Sequence, residues 1–259
     1  MKITFLGSGG VTGTPVWNCN CPACVSDNPK NKRFRSSLLV KINDKNVIID
    51  FGPDFSHQLL RNNVRKIDYA FLTHAHTDHC AGYDQFGSAE NCVIMMPKDV
   101  ATEFFGGKDG KGTIKDYLLA RSSSLKIEDF APLIIDGVKI DTVKLQHQKD
   151  FAPNPTPCYG YIFRSPNFAF AYCSDYNKIL EPEKLKGLDL LISDGSGWEN
   201  RGTGHVGVKG SIEVFNEIKP KKMIITHISH KVEHDELCEF LKDYPNISAA
   251  YDGLVLDCV

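Results

Sequence analysis

Three histidines and an aspartate fall within six positions of the stretch Thr73-His74-Ala75-His76-Thr77-Asp78-His79. Neutral imidazole and carboxylate are the side chains that bind divalent zinc, manganese or iron. His74 and His76 are two residues apart, so in extended backbone they point to the same side. Asp78 and His79 come after the chain turns and can face a second ion. The apolar, aromatic run 68–72 reads as a buried strand, and 80–86 can continue as a short helix. The cluster therefore falls where a strand runs out. A loop that is histidine-rich by accident is a poor account of so dense a set of ligand types.

A second cluster, Cys19-Asn20-Cys21-Pro22-Ala23-Cys24, spaces three thiols as C-x-C-x-x-C. That spacing suits a structural tetrahedral zinc whose fourth ligand comes from elsewhere. Single polar residues at strand ends extend both readings. Asp50 closes the apolar run 47–49 and serves equally as a strand terminator or as an acceptor that orients a ligand histidine. His147 ends an alternating segment and reads as a further metal ligand. Asp175 sits where the strand 168–172 stops, and a carboxylate there can bridge two ions. Asp194 reads as an orienting group or as a turn residue. His205 lies in the glycine-rich loop 201–205, where glycines allow close approach to a substrate. The strand 222–226 delivers His227-Ile228-Ser229-His230. Gly7-Ser8-Gly9-Gly10 reads as a tight turn rather than a phosphate cradle. His57 and His234 fall in helical patterns and are expected at the surface.

The elements that position these residues follow from periodicity and turn signals. Strands are expected over 2–7, 36–42, 46–51, 91–96, 188–192 and 222–226. A hairpin turns at Asp136-Gly137 within 133–146. The runs 159–164 and 168–172 pair, and one or two strands surround Asp252-Gly253 within 247–257. Helices are expected over 55–63, 208–219 and 232–243, with another opened by Pro97. Residues 103–132 read as a surface excursion, partly helical, that serves as a lid or a dimer contact. The loop 148–157 borders the pocket. Strands that end in a polar residue and lead into helices build a site along one edge of stacked sheets. With no linker or internal repeat, a single domain over 1–259 is expected. A net charge of −2, from 30 basic and 32 acidic residues, gives no sign of a dedicated nucleic-acid surface. Neither a signal peptide nor a membrane span is legible, and nine cysteines without a secretion signal point to reduced thiols in the cytoplasm.

The H-x-H-x-D-H signature at 74–79, with His147, Asp175 and His227 in order downstream, resembles the metallo-β-lactamase superfamily over essentially the whole chain. That resemblance implies an α/β (α+β) fold, a four-layer αββα sandwich with a dinuclear metal site at one edge. Within the superfamily, the opening Gly7-Ser8-Gly9-Gly10, the three cysteines, Thr226-His227-Ile228-Ser229-His230 and Asp252-Gly253 look like the PhnP-type phosphoribosyl 1,2-cyclic phosphate phosphodiesterases. By that resemblance His74, His76 and His147 hold one ion, and Asp78, His79 and His227 the other. Asp175 bridges the two ions, which are zinc or manganese. His230 completes a structural zinc site with Cys19, Cys21 and Cys24. His205 matches a histidine near the scissile phosphate and, with Asp78, is assigned to catalysis. The implied function is metal-dependent hydrolysis of a small cyclic phosphodiester, either a ribose 1,2-cyclic phosphate or a 2′,3′-cyclic nucleotide. Rival readings are a nuclease acting on single-stranded DNA or RNA, a thioesterase or lactonase with the same ligands, and a non-catalytic metal-bound scaffold or sensor. A diiron redox protein on this fold is disfavoured, because His76 stands where such proteins carry glutamate. A small phosphodiester is the expected partner, a membrane is not, and a homodimer stays open.

Overall fold

The computed structural model describes residues 1–106, 114–148, 155–200, 202 and 204–258. Its first strands are β1 (Lys2–Gly7), β2 (Ser37–Ile42), β3 (Lys45–Ile49), β4 (Tyr69–Phe71), β5 (Val93–Met96) and β6 (Lys126–Asp129). Then come β7 (Leu133–Ile135), β8 (Val138–His147), β9 (Thr156–Arg164), β10 (Ala169–Tyr172), β11 (Lys178–Ile179), β12 (Leu190–Asp194) and β13 (Lys222–Thr226). Strands β14 (Ile247–Ala249) and β15 (Val255–Asp257) close the chain. The helices are α1 (Pro22–Val25), α2 (Phe55–Arg61), α3 (Thr77–Cys80), α4 (Lys98–Phe104), α5 (Ile114–Arg121), α6 (Gly207–Ile218) and α7 (His234–Phe240).

Among the described residues the strands form two sheets. One is ordered β15-β1-β2-β3-β4-β5-β6, the other β11-β8-β9-β10-β12-β13-β14, with β7 also paired to β8. Both sheets change character halfway across. Pairings from β15 to β3 are antiparallel, and those from β3 to β6 are parallel. The second sheet repeats this, antiparallel from β11 to β10 and parallel from β10 to β14.

The strands alternate apolar residues between two buried faces, which requires a cover on both sides. Phe5, Val40, Ile49, Phe71, Tyr161, Phe170 and Ile192 meet in a core between the sheets. Leu39, Ile48, Ala70 and Ile94 face the other way, against Phe55, Val100, Phe104 and Leu118 of α2, α4 and α5. Ile162, Ala171, Leu191 and Ile225 meet Val208, Ile212 and Leu237 of α6 and α7. Helix, sheet, sheet and helix therefore stack in four layers. Tyr161 locks the two sheets beside the histidine cluster. Its ring stacks on Phe71 at 5.1 Å, and its hydroxyl donates to the Leu72 carbonyl at 2.7 Å.

Several local readings are met and others corrected. The Asp136-Gly137 hairpin joins β7 to β8, with both residues at positive φ (46° and 83°). The Gly7–Gly10 amides are used inside the protein: Ser8 N donates to Asp252 Oδ1, Gly9 N to Phe34 O and Gly10 N to Ile228 O. They are thus a turn tied to its neighbours. The expected excursion 103–132 contains β6, an edge strand parallel to β5, and α5, whose Leu118 is fully buried. Its lone apolar residue among charged ones, Lys126-Ile127-Glu128-Asp129, is how an edge strand avoids further pairing, and it hides the strand period. Residues 107–113 of that segment, 149–154 of the loop 148–157, and Arg201 and Thr203 beside His205 lie outside the described residues. Of the one or two strands expected around Asp252-Gly253, two form, β14 and β15, in different sheets.

His57 is exposed as expected, but His234 is only 2% exposed. It begins α7 against a buried cluster from the N-terminal loop. Asn31 Oδ1 accepts from His234 N and from Arg33 Nη2, both at 2.9 Å, and Arg33 Nη1 donates to Val232 O. Burial, reinforced by the cations Lys30 and Arg33, lowers the His234 imidazole to about 4, against the weaker pull of Asp235 and Glu233.

Two predictions follow from this packing. A Cβ on Gly52 would lie 2.0 Å from the Asp78 carbonyl oxygen, which is backbone and cannot step aside. Gly52→Ala should therefore push α3 outward and cost about 3 kcal/mol in denaturant unfolding; unchanged stability would contradict the close approach. For His234 the folded state favours the neutral ring. Its contribution is complete above the unfolded value near 6.5 and is lost as pH falls toward 4. His234→Gln should lose about 3 kcal/mol less than the parent between those limits in pH-dependent unfolding.

Candidate metal centre

The described carboxyl ends of the parallel strands converge on one edge of the sandwich. His74, His76, Asp78 and His79 follow β4, Asp175 follows β10, and His227 follows β13. His147 ends β8 and Asp194 ends β12. Ligands in such folds bind at this end of the strands.

The side chains sort into sets whose ligand atoms lie within 4.8 Å of one another: His74, His76 and His147, and next to them Asp78, His79, Asp175 and His227. Asp175 joins them. Its Oδ2 lies 3.3 Å from His227 Nε2, 3.4 Å from His79 Nε2, 3.8 Å from His74 Nε2 and 4.0 Å from His147 Nε2.

At His79, His74 and His147 one nitrogen faces this centre and the other is held from behind by a hydrogen bond. His79 Nδ1 donates to Asp50 Oδ2 at 2.7 Å. His74 Nδ1 donates to Thr73 Oγ1 at 2.9 Å, and that hydroxyl donates to Asp50 at 3.0 Å. His147 Nδ1 donates to the Gly204 carbonyl at 2.7 Å. His227 Nδ1 faces Asp194 Oδ1 at 3.4 Å. His76 is reversed: Nε2 lies 3.4 Å from Thr156 Oγ1, and Nδ1 lies 3.2 Å from His147 Nε2. Fixing one nitrogen sets the tautomer and aims the lone pair of the other. Thr73, Thr156 and the Gly204 carbonyl escaped sequence reasoning, because side-chain oxygens and backbone carry no ligand signature. Of the two readings of Asp50, its bonds to His79 and Thr73 select the orienting one, and Asp194 likewise orients rather than merely turns the chain.

Electrostatics follow the same division. Burial, with His79 nearby, holds His74 well below the usual imidazole range. Burial and His147 lower His76 to about 4, and burial lowers His147. These rings are neutral, the form that binds a metal. Burial opposes charge at the other group too, but there the charges prevail. Asp175, Asp78 and Asp50 raise His79 well above its ordinary value, and Asp175 with Asp194 raises His227 to about 10. Asp78 and Asp175 are held well below the carboxylate range by the imidazoles beside them, against the effect of burial. Buried carboxylates need a cation, and divalent ions fit this donor set. Among the described residues, His74 Nε2, His79 Nε2 and Asp175 Oδ1 are buried without a hydrogen-bond partner.

His205 stands at the mouth, its ring 5.1 Å from His147 and 5.2 Å from His227. Its Nδ1 donates to Asp194 Oδ1 at 3.0 Å, and Asp194 Oδ2 accepts from Gly207 N at the start of α6. Asp194 raises the His205 imidazole against the effect of burial. Asp194 Oδ1 thus faces both His205 and His227. A cavity of about 270 Å³ opens over the centre, with Val11, Gln148 and His205 at its sides. A larger groove of about 670 Å³ runs between α2 and residues 85–91 and holds none of the candidate site residues.

The thiols form a separate group. Cys19 and Cys21 Sγ lie 3.4 Å, and Cys24 Sγ 3.6 Å, from His230 Nδ1. Ligand bonds of about 2.3 Å to sulfur and 2.0 Å to nitrogen give a tetrahedral edge of about 3.6 Å, so the set fits one zinc.

The chain is similar to known proteins over nearly its whole length. It is 28% identical to a diphosphatase from the PhnP family, covering 98% of this chain and 96% of that one at a TM-score of 0.83. It is 18% identical to Zn(2+)-bound PqqB from Methylobacterium extorquens, covering 99% and 100% at a TM-score of 0.81, a likeness of fold. Among curated proteins it is 29% identical to an octanoyltransferase of Porphyromonas gingivalis, over 98% of this chain but 51% of that protein, so it spans about half the length of that relative. The sequence profile of the β-lactamase superfamily domain matches residues 45–228, which carry the whole imidazole–carboxylate centre. The chain belongs to the β-lactamase superfamily, and its four-layer sandwich is the metallo-β-lactamase fold.

Proposed function

We propose that the chain is a metal-dependent phosphodiesterase that hydrolyses small cyclic phosphodiesters of the ribose 1,2-cyclic or 2′,3′-cyclic nucleotide type. The observation that carries this reading is His205 at the mouth of a donor set fit for two divalent ions, its Nδ1 held by buried Asp194. His74, His76 and His147 would hold one ion, Asp78, His79 and His227 the other, with Asp175 between them. Zinc and manganese both suit these donors. Cys19, Cys21, Cys24 and His230 would hold a structural zinc. Bound ions supply Lewis-acid polarisation of a phosphoryl oxygen and a water acidic enough to attack at neutral pH.

The remaining steps belong to the protein. Asp50, Thr73 and Gly204 keep the imidazoles aimed, so no reorganisation is needed as charge builds. With Nδ1 engaged, His205 presents Nε2 to the cavity and protonates the leaving alkoxide. Asp194 keeps that ring charged and oriented for the transfer. Similarity to a PhnP-family diphosphatase supports a phosphorus centre as the target. A second reading comes from the relative named octanoyltransferase. The same donors would hydrolyse an octanoyl ester or thioester, and half of a longer protein could serve that chemistry.

His205→Ala should lower kcat by about 10²–10⁴-fold on diesters with alkyl leaving groups, with metal content unchanged. The loss should be much smaller with a p-nitrophenyl leaving group, which needs little protonation. Metal loss in this variant would refute the assignment. Under both metals, a panel of ribose cyclic phosphates, 2′,3′-cyclic nucleotides, a nucleoside diphosphate, single-stranded DNA and an octanoyl thioester should show the highest kcat/KM for the cyclic diesters. Turnover confined to the oligonucleotide, the diphosphate or the thioester would overturn the substrate class while leaving the centre intact.

A further inference from the structure

The thiolate cluster is placed where chemistry from outside can reach it. Cys19 and Cys21 are half-buried, whereas Cys24 is only 7% exposed. All three sulfurs and His230 Nδ1 lie within 4.8 Å of one another. A sulfur oxidised here meets a second thiolate at once. Elsewhere Cys80, Cys92, Cys158, Cys173 and Cys258 are buried, and Cys238 is exposed.

The cluster is also mechanically joined to the centre. His230 is three residues after His227. Between them, Ile228 N donates to Ser8 O at 2.8 Å and its carbonyl accepts from Gly10 N at 3.1 Å. The next residue of that turn, Val11, borders the catalytic cavity. Releasing Cys19, Cys21 and Cys24 from His230 removes one of the restraints on both the cavity wall and the segment presenting His227.

We propose that Cys19, Cys21, Cys24 and His230 form a peroxide-sensitive site, at which oxidation converts two thiolates into a disulfide, expels the zinc and loosens the catalytic edge. This rests on the reading of the cluster as a zinc site. In the first step a thiolate of Cys19 or Cys21 attacks hydrogen peroxide; the O–O bond breaks, a sulfenic acid forms and hydroxide leaves. In the second, a neighbouring thiolate attacks that sulfur; the S–O bond breaks, the disulfide forms and a second hydroxide leaves. The two sulfurs lose two electrons and the peroxide gains them. With two ligands spent, the remaining thiolate and His230 no longer hold a tetrahedral ion.

The test uses the full chain carrying Cys238→Ser, which removes the exposed thiol, loaded with zinc at the thiolates and manganese at the centre. Peroxide is added while a chromogenic chelator reports zinc, peptide mass spectrometry maps disulfides, and thermal melting reports the fold. Zinc release in step with a disulfide among Cys19, Cys21 and Cys24, a lowered Tm, and recovery with reductant and zinc are expected. Retained zinc with these thiols still alkylatable, or oxidised thiols with zinc retained, would overturn the inference. Cobalt substitution of the untreated chain separates the underlying reading: without a thiolate-to-cobalt charge-transfer band, the zinc site itself fails, whatever peroxide does.

Discussion

A buried carboxylate at the end of β3 holds the imidazole–carboxylate edge together. Asp50 is fully buried and sits at φ 64°, a left-handed conformation that costs a non-glycine residue energy. In return it accepts from Thr73 N, Thr73 Oγ1 and His79 Nδ1. One carboxylate thereby fixes the exit of β4, the tautomer of His79 and, through the threonine hydroxyl, the ring of His74. Next to it, Phe51 N donates to His79 O at 2.7 Å, and Gly52 lets the Asp78 carbonyl come close. The histidine-rich turn after β4 is thus clamped from β3 rather than held by its own sequence.

The second sheet offers a parallel solution with different residues. Asp194 closes β12 as Asp50 follows β3, and it too is fully buried; where Asp50 contacts one imidazole directly, Asp194 faces two, His205 and His227. His227, like Asp50, adopts a positive φ, 53°, directly after a parallel strand. Both sheets turn from antiparallel to parallel midway, so both bring parallel strand ends and their polar residues to the same edge. Asp175, after β10, lies where the two contributions meet. Each sheet's orienting carboxylate stays in its own layer; the residues that meet between the layers are those suited to hold metal.

Much of this was legible in the chain because strands and ligands leave periodic or dense local signals. The run at 74–79, the C-x-C-x-x-C spacing and the polar residues closing 168–172 and 222–226 are all short-range patterns. What was hidden is set by contacts distant in sequence. His147 is held by a carbonyl 57 residues away, and His76 faces a threonine 80 residues away. His234 looked solvated because it stands among Glu233, Asp235 and Glu236, yet Asn31 and Arg33 cover it from the other end of the chain. Edge strand β6 was lost for the opposite reason, since the charged Lys126, Glu128 and Asp129 that keep its edge from pairing further remove the alternation by which strands are recognised.

The segment 226–230 shows why a metal-fit thiolate group and the imidazole–carboxylate edge belong to one mechanical unit. Within five residues it ends a parallel strand, turns His227 inward, buries Ile228 completely and presents His230 to the three cysteines. A strand end alone leaves the following loop free to move, and a ligand on it would be poorly placed. Here the loop is held on both sides, by Ser8 and Gly10 through the Ile228 backbone and by the cysteines through His230. The N-terminal loop is itself secured by Asp252, which accepts from Ser8 N, Ser8 Oγ and Phe34 N. The last imidazole of the centre therefore depends on contacts from both ends of the chain. Pre-organisation of this kind serves a site that must place charge without rearranging.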